Sequence, residues 1–355
     1  MPLVRLSVER FRCLTQVDVA LDPRYNLFVG PNASGKTSLL EALFLLGRGR
    51  SFRTRGYGRL VQQGAADFRV VGWVAQGHQR TVLGVGGTRQ SSEVRIGGEP
   101  ADGVAALAGH FPPLIIDPEV HKLLEDGPPR RRRFLDWGVF HVEPTFLETW
   151  QRYHRSLKQR NAALKLEAGP RAARVWEPEL ASTGERLAEL RTAYLRRLEP
   201  VLQDLGRRLL DEDVAVVHHA GWPAGETLAG ALDRGLERDQ RYKATQVGPH
   251  RADVTVKVGT HVARERVSRG QQKLLAAALT LAQLTIQETS RPGQGALLLD
   301  DPAAELDSAN LARLLAVVRT LPVQLFVTAL RADLEGLGAP GALFHVERGE
   351  VRAAS

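Results

Sequence analysis

Residues 30–37 read Gly30-Pro31-Asn32-Ala33-Ser34-Gly35-Lys36-Thr37 and satisfy G-x-x-x-x-G-K-[ST] at every fixed position. The preceding Tyr25-Asn26-Leu27-Phe28-Val29 is a short apolar run with strand character, and Ser38 opens an apolar helical run that Gly47 closes. Strand, loop and helix in that order make the pattern a phosphate-binding P-loop, the Walker A motif. Glycines are needed because successive backbone N–H groups must turn inward around the phosphates, where a side chain would block the approach. The helix start adds its partial positive charge. Lys36 is expected to reach the β- and γ-phosphates, and the Thr37 hydroxyl to take one position on Mg²⁺, which binds through oxygen ligands.

Two further segments complement a triphosphate. Ala296-Leu297-Leu298-Leu299-Asp300-Asp301 reads as a buried strand ending in two adjacent acids, followed by Pro302 and Glu305-Leu306-Asp307. An acid at the end of a strand beside the P-loop strand is placed to hold Mg²⁺, which assigns Asp300 to the metal. Asp301 then faces the γ-phosphate side, where a carboxylate orients or deprotonates the attacking water. Val323 to Val327 is another parallel-type strand, and it brings the Thr328 hydroxyl toward the γ-phosphate. Ser268-Arg269-Gly270-Gln271-Gln272-Lys273 opens a long apolar helix. Ser268 and Gln271 by themselves make a capping box. A hydroxyl, a glycine and free N–H groups at a helix start also suit a phosphate, so both readings stand.

The chain has 355 residues, 43% of them hydrophobic, which is ample for one large domain with an insertion or for two domains. Its formal charge of +8 and pI near 10.0 favour a polyanionic partner or simply solubility. Seven of the 48 basic residues are Lys, so Arg supplies the other 41. Cys13 stands alone, which excludes an intramolecular disulfide and fits a reducing compartment. The first residues carry no secretory pattern and no apolar run approaches membrane-spanning length, so a cytoplasmic protein with no membrane segment is expected.

Alternation predicts strands over 3–8 and 15–21, flanking Arg10-Phe11-Arg12, and a meander over 68–75, 80–85 and 93–96. From 130 to 210 the period becomes helical, with Gly169-Pro170 between two runs. A strand returns at 214–217, and a hairpin over 253–258 and 262–267 leads to Ser268. This divides the chain into an N-terminal ATPase part (1–118), a mainly helical insertion lobe (119–240) and a C-terminal ATPase part (241–355). Arg48 to Arg55, with Phe52 available to stack, and Arg130-Arg131-Arg132-Arg133 are candidate DNA-backbone contacts, joined by Arg152, Arg155, Lys158 and Arg160 on the next helix. Solvated charged faces are the alternative.

The order of P-loop, Ser268-Arg269-Gly270-Gln271-Gln272, strand-end acids and Glu305-Leu306-Asp307, with a helical insertion between the first two, resembles ABC-type ATPase heads of the SMC kind. Phe11-Arg12, Gly127-Pro128-Pro129 before Arg131-Arg132-Arg133-Phe134-Leu135-Asp136, Gln159-Arg160-Asn161, Gly248-Pro249-His250-Arg251 and Gly270-Gln271-Gln272-Lys273 are similar, within that group, to the RecF family. The resemblance implies an α/β P-loop ATPase head with an inserted helical lobe, binding ATP with Mg²⁺ through residues 30–38 and with Arg12 beside them. It implies an ATP-dependent homodimer in which Ser268, Gly270 and Gln271 of one chain meet the γ-phosphate held by Lys36 and Thr37 of the other. Asp307 resembles the acid that crosses that interface, and Thr328 fills a switch position usually held by His. The resemblance further implies binding to double-stranded DNA and gap junctions, slow DNA-stimulated ATP hydrolysis, and work with RecR and RecO to load RecA on gapped DNA. Ala33 stands where the family usually has Gly, and Ala is costly at positive φ. An ATPase subunit of a transporter and an SMC-like organiser without productive hydrolysis share the nucleotide motifs and are the competing readings.

Overall fold

A computed structural model describes residues 1–354 apart from 55, 78, 102, 167–168 and 335. It separates two units, one made of residues 1–120 and 277–355 and the other of 121–276. In the first unit, β1 (Leu3–Phe11) and β2 (Leu14–Ala20) form the expected hairpin, and β3 (Tyr25–Val29) feeds the P-loop and helix α1 (Lys36–Arg48). The meander β4 (Asp67–Gln76), β5 (Gln79–Thr88), β6 (Ser92–Ile96) and β7 (Glu99–Pro100) joins the hairpin in a sheet of order β2-β1-β4-β5-β6-β7. β8 (Pro113–Ile116) closes the N-terminal part.

The second sheet of this unit positions the site. After the lobe strands β9 (Val214–His219), β10 (Asp253–Val258) and β11 (His261–Val262) come β12 (Ala296–Asp300), β13 (Gln324–Ala329), β14 (Ala342–Glu347) and β15 (Glu350–Ala353). Its order is β15-β14-β3-β13-β12-β8, parallel except for the β14–β15 hairpin. β3, β12 and β13 are buried along their whole length, which is why they read as unbroken apolar runs rather than alternating ones. The strand carrying Asp300 was expected beside the P-loop strand; β13 lies between them. The register still brings the chemistry together, because Asp300 pairs with Thr328 and Thr328 with Phe28 across the three strands.

Helix α1 packs the fully buried Leu39, Leu40, Leu43 and Leu46 into the core between the sheets. Gly47 does not close it. The helix ends at Gly49, whose φ of 59° is the left-handed cap conformation. Gly47 serves packing instead: a Cβ there would stand 1.9 Å from the Phe111 carbonyl oxygen. Gln324, buried at the start of β13, ties in the N-terminus by accepting from the Leu3 N–H and donating to the Leu3 and Asp22 carbonyls, each at 2.8 Å.

The second unit is the helical lobe, built on Pro128–Val142, Phe146–Lys165 and Glu177–Leu210 with a sheet of order β11-β10-β9. The expected boundary at 240 falls inside this unit, which runs on to Ala276, because β10 pairs with β9 over six residues. The expected strand over 262–267 ends at Val262, and Ala263–Arg266 is a helical turn, as its Ala, Arg and Glu composition favours. The core of the lobe is partly ionic. Arg160 and Asp239 are both fully buried and bonded at 2.6 Å, with Glu177 and Thr245 on the remaining guanidinium donors. Arg191 grips Asp136 and donates to the Pro249 carbonyl. Asn161 Oδ1 accepts from both the N–H and the hydroxyl of Thr245. Tyr153 Oη meets His250 Nδ1 at 2.7 Å, and His250 Nε2 reaches the Thr245 carbonyl at 2.9 Å. Gln159-Arg160-Asn161 and Gly248-Pro249-His250-Arg251, about 90 residues apart, thus contribute to one buried network.

Candidate functional site

The P-loop forms because two turns buttress it. The Ser34 carbonyl accepts from Gly349 N–H at 2.8 Å, in the β14–β15 turn. A Cβ on Gly35, at φ 117°, would meet Leu14 at 3.2 Å and Cys13 Sγ at 3.3 Å. Ala33 adopts φ 62°, the left-handed conformation that Gly takes freely, so the loop keeps its shape and the substitution is absorbed as strain of about 1–2 kcal/mol. Ser34 is 4% exposed and, among the described residues, its Oγ has no hydrogen-bond partner. The Lys36 ammonium, its pKa lowered by burial, donates to the carbonyls of Gly30 at 2.6 Å and Pro31 at 2.9 Å.

Beside it, the strand ends assemble a hydroxyl–carboxylate cluster. Asp300 Oδ1 accepts from Thr37 Oγ1 at 3.0 Å and from Thr328 Oγ1 at 2.9 Å. Thr328 Oγ1 in turn accepts from the Asp301 N–H at 3.0 Å. Burial pushes the Asp300 carboxyl above its usual range, while the two hydroxyl hydrogen bonds pull the other way. Asp301, at φ 46°, is likewise raised by burial, opposed by the Lys36 charge. Thr328 is fully buried, and its hydroxyl is engaged with the two acids. Its hydroxyl is thus held between the Asp300 carboxylate and the Asp301 N–H.

Arg12 is bonded within the chain. Its guanidinium bonds both oxygens of Glu41 at 2.7 and 2.9 Å and the Arg59 carbonyl at 2.8 Å. Glu41, fully buried on α1, also takes the Ser51 hydroxyl and the Arg53 guanidinium at 3.6 Å. Glu41 and Gly349 are the two site-building residues that sequence reasoning missed. The only signals were an acid in an apolar helix and an Arg-Gly turn between two alternating runs. Ser38 is buried behind the loop, its Oγ 3.5 Å from Cys13 Sγ.

In the second unit Ser268 is exposed at the start of helix Arg269–Ser290. It makes the reciprocal capping box: Ser268 N–H donates to Gln271 Oε1 at 2.9 Å, and Gln271 N–H donates to Ser268 Oγ at 3.3 Å. Among the described residues a Cβ at Gly270 would meet nothing within 4 Å.

The cations named as candidate DNA contacts have the following partners within the chain. Arg131 pairs with Asp253 at 2.8 Å and donates to the Leu124 carbonyl; Arg132 bonds the Ala252 carbonyl, Arg130 pairs with Asp126, and Arg133 bonds the Pro129 carbonyl. Arg160 is fully buried and Arg152 pairs with Glu179. In the earlier segment Arg48 bonds the Pro113 carbonyl over the Phe44 ring, Arg53 faces Glu41, and Phe52 packs edge-on against Phe44. Arg55 lies outside the described residues. Arg131, Arg160 and Arg48 are engaged inside the fold, Arg133 and Arg53 bond within the chain but stay exposed, and of the cations named on helix Phe146–Lys165 only Arg155 and Lys158 are exposed without an internal partner among the described residues.

A family model described as the RecF/RecN/SMC N terminal domain matches residues 2–337. The chain is 41% identical to the DNA replication and repair protein RecF of Pseudomonas fluorescens strain Pf-5, over 99% of this chain and 98% of that one. It is 38% identical to RecF of Vibrio cholerae serotype O1, over 99% of each. Among solved structures, the recombination mediator protein RecF with ATP, in the RecFOR pathway, superposes with a TM-score of 0.90 at 27% identity, covering 100% of this chain and 98% of that one. An Smc head bound to the C-winged helix domain of ScpA has a TM-score of 0.58 at 14% identity, over 100% and 97% of the chains, and shares the fold. Among the described residues no helix is long and apolar enough to cross a membrane.

Proposed function

The chain belongs to the RecF family of the RecF/RecN/SMC group, and we propose that it is an ATP-dependent DNA-binding protein of recombinational repair and replication that dimerises on ATP. The observation that carries this reading is the hydrogen-bonded set Thr37, Asp300 and Thr328 at the strand ends, with Lys36 and the P-loop backbone alongside. The donor set fits the expected group. Thr37 and Asp300 offer the hard oxygen ligands Mg²⁺ takes, and Ser34 Oγ is a buried hydroxyl that no group among the described residues satisfies.

When bound, ATP would supply the scissile phosphoanhydride, and Mg²⁺ held by Thr37 and Asp300 would offset the phosphate charge. The protein's part is positional. Lys36 transfers its ammonium from the Gly30 and Pro31 carbonyls to phosphate oxygens, a charge-assisted interaction stronger than the one it leaves. Thr328 fixes the Asp300 carboxylate for the metal, and the Asp301 N–H bond to the same hydroxyl sets the direction of Asp301. Asp301, raised above the usual carboxylate range by burial, is a better proton acceptor for the attacking water. Ser268, Gly270 and Gln271 of a second copy complete the site, so hydrolysis follows dimerisation and is slow, acting as a timer. Asp307, whose side chain caps helix Ser308–Val318, stands with them as the acid at that interface.

Duplex and gap-junction DNA are the proposed partners, with Arg155 and Lys158 as backbone contacts, together with RecR, RecO and RecA in a cytoplasmic pathway. Sedimentation with and without ATP tests the central claim. The wild-type chain is expected to dimerise only with ATP, whereas Ser268→Arg binds ATP but stays monomeric. An ATP-dependent dimer of Ser268→Arg would remove the assignment. Gapped duplex at low salt is expected to raise the ATPase rate, an effect that fades steeply with added salt.

A further inference from the structure

Of the six large hydrophobic side chains that stand exposed among the described residues, Tyr242 is the only aromatic, at 62% exposure. It closes the lobe helix Leu236–Tyr242, and the segment around it is pinned on both sides. Three residues earlier the buried Asp239 pairs with Arg160, and three residues later Thr245 gives its N–H and its hydroxyl to Asn161 Oδ1. The ring is therefore carried outward on a fixed base. Leaving so large an aromatic surface in water forgoes its burial, which marks the position as one that meets something else.

Cations surround that ring. Arg238, one turn earlier, has its guanidinium carbon 5.9 Å from the ring centroid, and Arg241 is the exposed residue beside it in the chain. Lys158 and Lys165 lie three residues before and four after Asn161, so they share its side of helix Phe146–Lys165 and flank the same junction. Among the described residues none of these four cations has an acidic partner. Of the acids on the Tyr242 helix, Asp239 is spent on Arg160, and Glu237 is the one exposed carboxylate set against the four charges.

A ligand that suits this place offers phosphates to the cations and a flat π-face to the ring. A strand with unpaired bases presents both along its length. A duplex keeps its base faces inside the stack, and an acidic peptide brings charge without a base to stack. We infer that Tyr242 is a stacking platform for an unpaired base, with Arg241, Lys158 and Lys165 on the flanking phosphates, so that the lobe holds the single-stranded side of a junction. This rests on the reading of the chain as a DNA-binding protein and adds to it the residues that tell an unpaired strand from a paired one.

Anisotropy titrations in the presence of ATP compare a blunt duplex with the same duplex carrying a single-stranded thymidine tail, in which 2-aminopurine stands next to the junction. The wild type is expected to bind the tailed duplex more tightly and to quench the 2-aminopurine. Tyr242→Ala and Tyr242→Leu are expected to lose the quench and about tenfold in affinity for the tailed duplex, with blunt-duplex affinity unchanged within about twofold, whereas Tyr242→Phe keeps both signals. Arg241→Gln is expected to weaken tailed binding and to reduce its salt slope by about one ion. Melting temperature and ATP affinity are expected to stay at wild-type values in all four variants, because the side chains replaced are exposed and lie outside the nucleotide site. Equal tailed-duplex affinity in Tyr242→Ala and the wild type, with the blunt duplex still bound, would overturn the inference and leave the DNA-binding reading standing. Failure of the wild type to bind either DNA would overturn both. Tyr242-dependent binding of a polyglutamate peptide, with tailed-duplex binding indifferent to Tyr242, would assign the place to an acidic protein partner and overturn the inference as well.

Discussion

The buried polar groups around the P-loop and the buried charges of the lobe are placed by similar-looking sequence and do opposite work. In the lobe, Arg160, Arg191 and Arg131 each close on a carboxylate within the chain, so their charge is used up as architecture. In the head, Lys36 rests on two carbonyls, Asp300 on two hydroxyls, and Ser34 on nothing among the described residues. A polar group satisfied by an equal partner is structure. One held by weaker partners is ready to exchange them for a ligand.

That contrast is most directly broken in the lobe. Arg160→Ala leaves Asp239 buried without its cation and is expected to cost about 3–5 kcal/mol of stability, read as a fall in the urea midpoint. A loss below about 1 kcal/mol would mean the network is not architectural. The matching change in the head, Lys36→Met, is expected to leave the midpoint within about 1 kcal/mol while lowering ATP affinity at least about 100-fold, near 3 kcal/mol by calorimetry.

Acid sharpens the comparison further. Burial lowers His250 from 6.5 to about 4, so below pH 6.5 the unfolded chain takes up a proton that the folded lobe refuses. Stability is therefore full above 6.5 and falls as pH drops toward 4, by about 2 kcal/mol at pH 5 from this residue alone. His218, also held near 4 by burial, acts in the same direction. Melting curves from pH 7 to 5 are expected to show this loss, and His250→Gln to flatten it; parallel slopes would exclude the residue. The smallest effect belongs to the P-loop. Ala33→Gly removes the cost of φ 62° and, after the extra unfolded-chain entropy of Gly, is expected to stabilise by about 1 kcal/mol or less. A lower melting temperature would show that the loop holds no such strain.

Much of this was legible beforehand, and the misses have physical causes. β3 and the strand of the Asp300–Asp301 pair stood where their apolar runs placed them, because a strand buried on both faces leaves an unmistakable record. Gly47 misled because a glycine that admits a neighbouring backbone and one that caps a helix are identical in one dimension. The Arg130–Arg133 run hides part of its setting for a related reason. Its partners, Asp253 and the Ala252 carbonyl, lie some 120 residues downstream, and local sequence shows the charge without its neutraliser. The insertion of β13 between β3 and β12 is a matter of topology that no local pattern encodes. Thr328 was found as a strand-end hydroxyl, but its partners were set by that same topology.

The stitch made by Gln324 has a consequence for how the chain is born. Leu3 and Gln324 are separated by 321 residues, so β1 leaves the ribosome long before its clamp exists. At ~5–20 residues per second the wait is roughly 15–65 s, during which the P-loop strand also lacks both of its sheet neighbours, β13 and β14. The lobe, contiguous in sequence, has no such delay. A nascent chain stalled before β13 therefore carries the whole Walker A sequence without the strands that flank it in the sheet, and β13 and β14 must be made before the nucleotide pocket is.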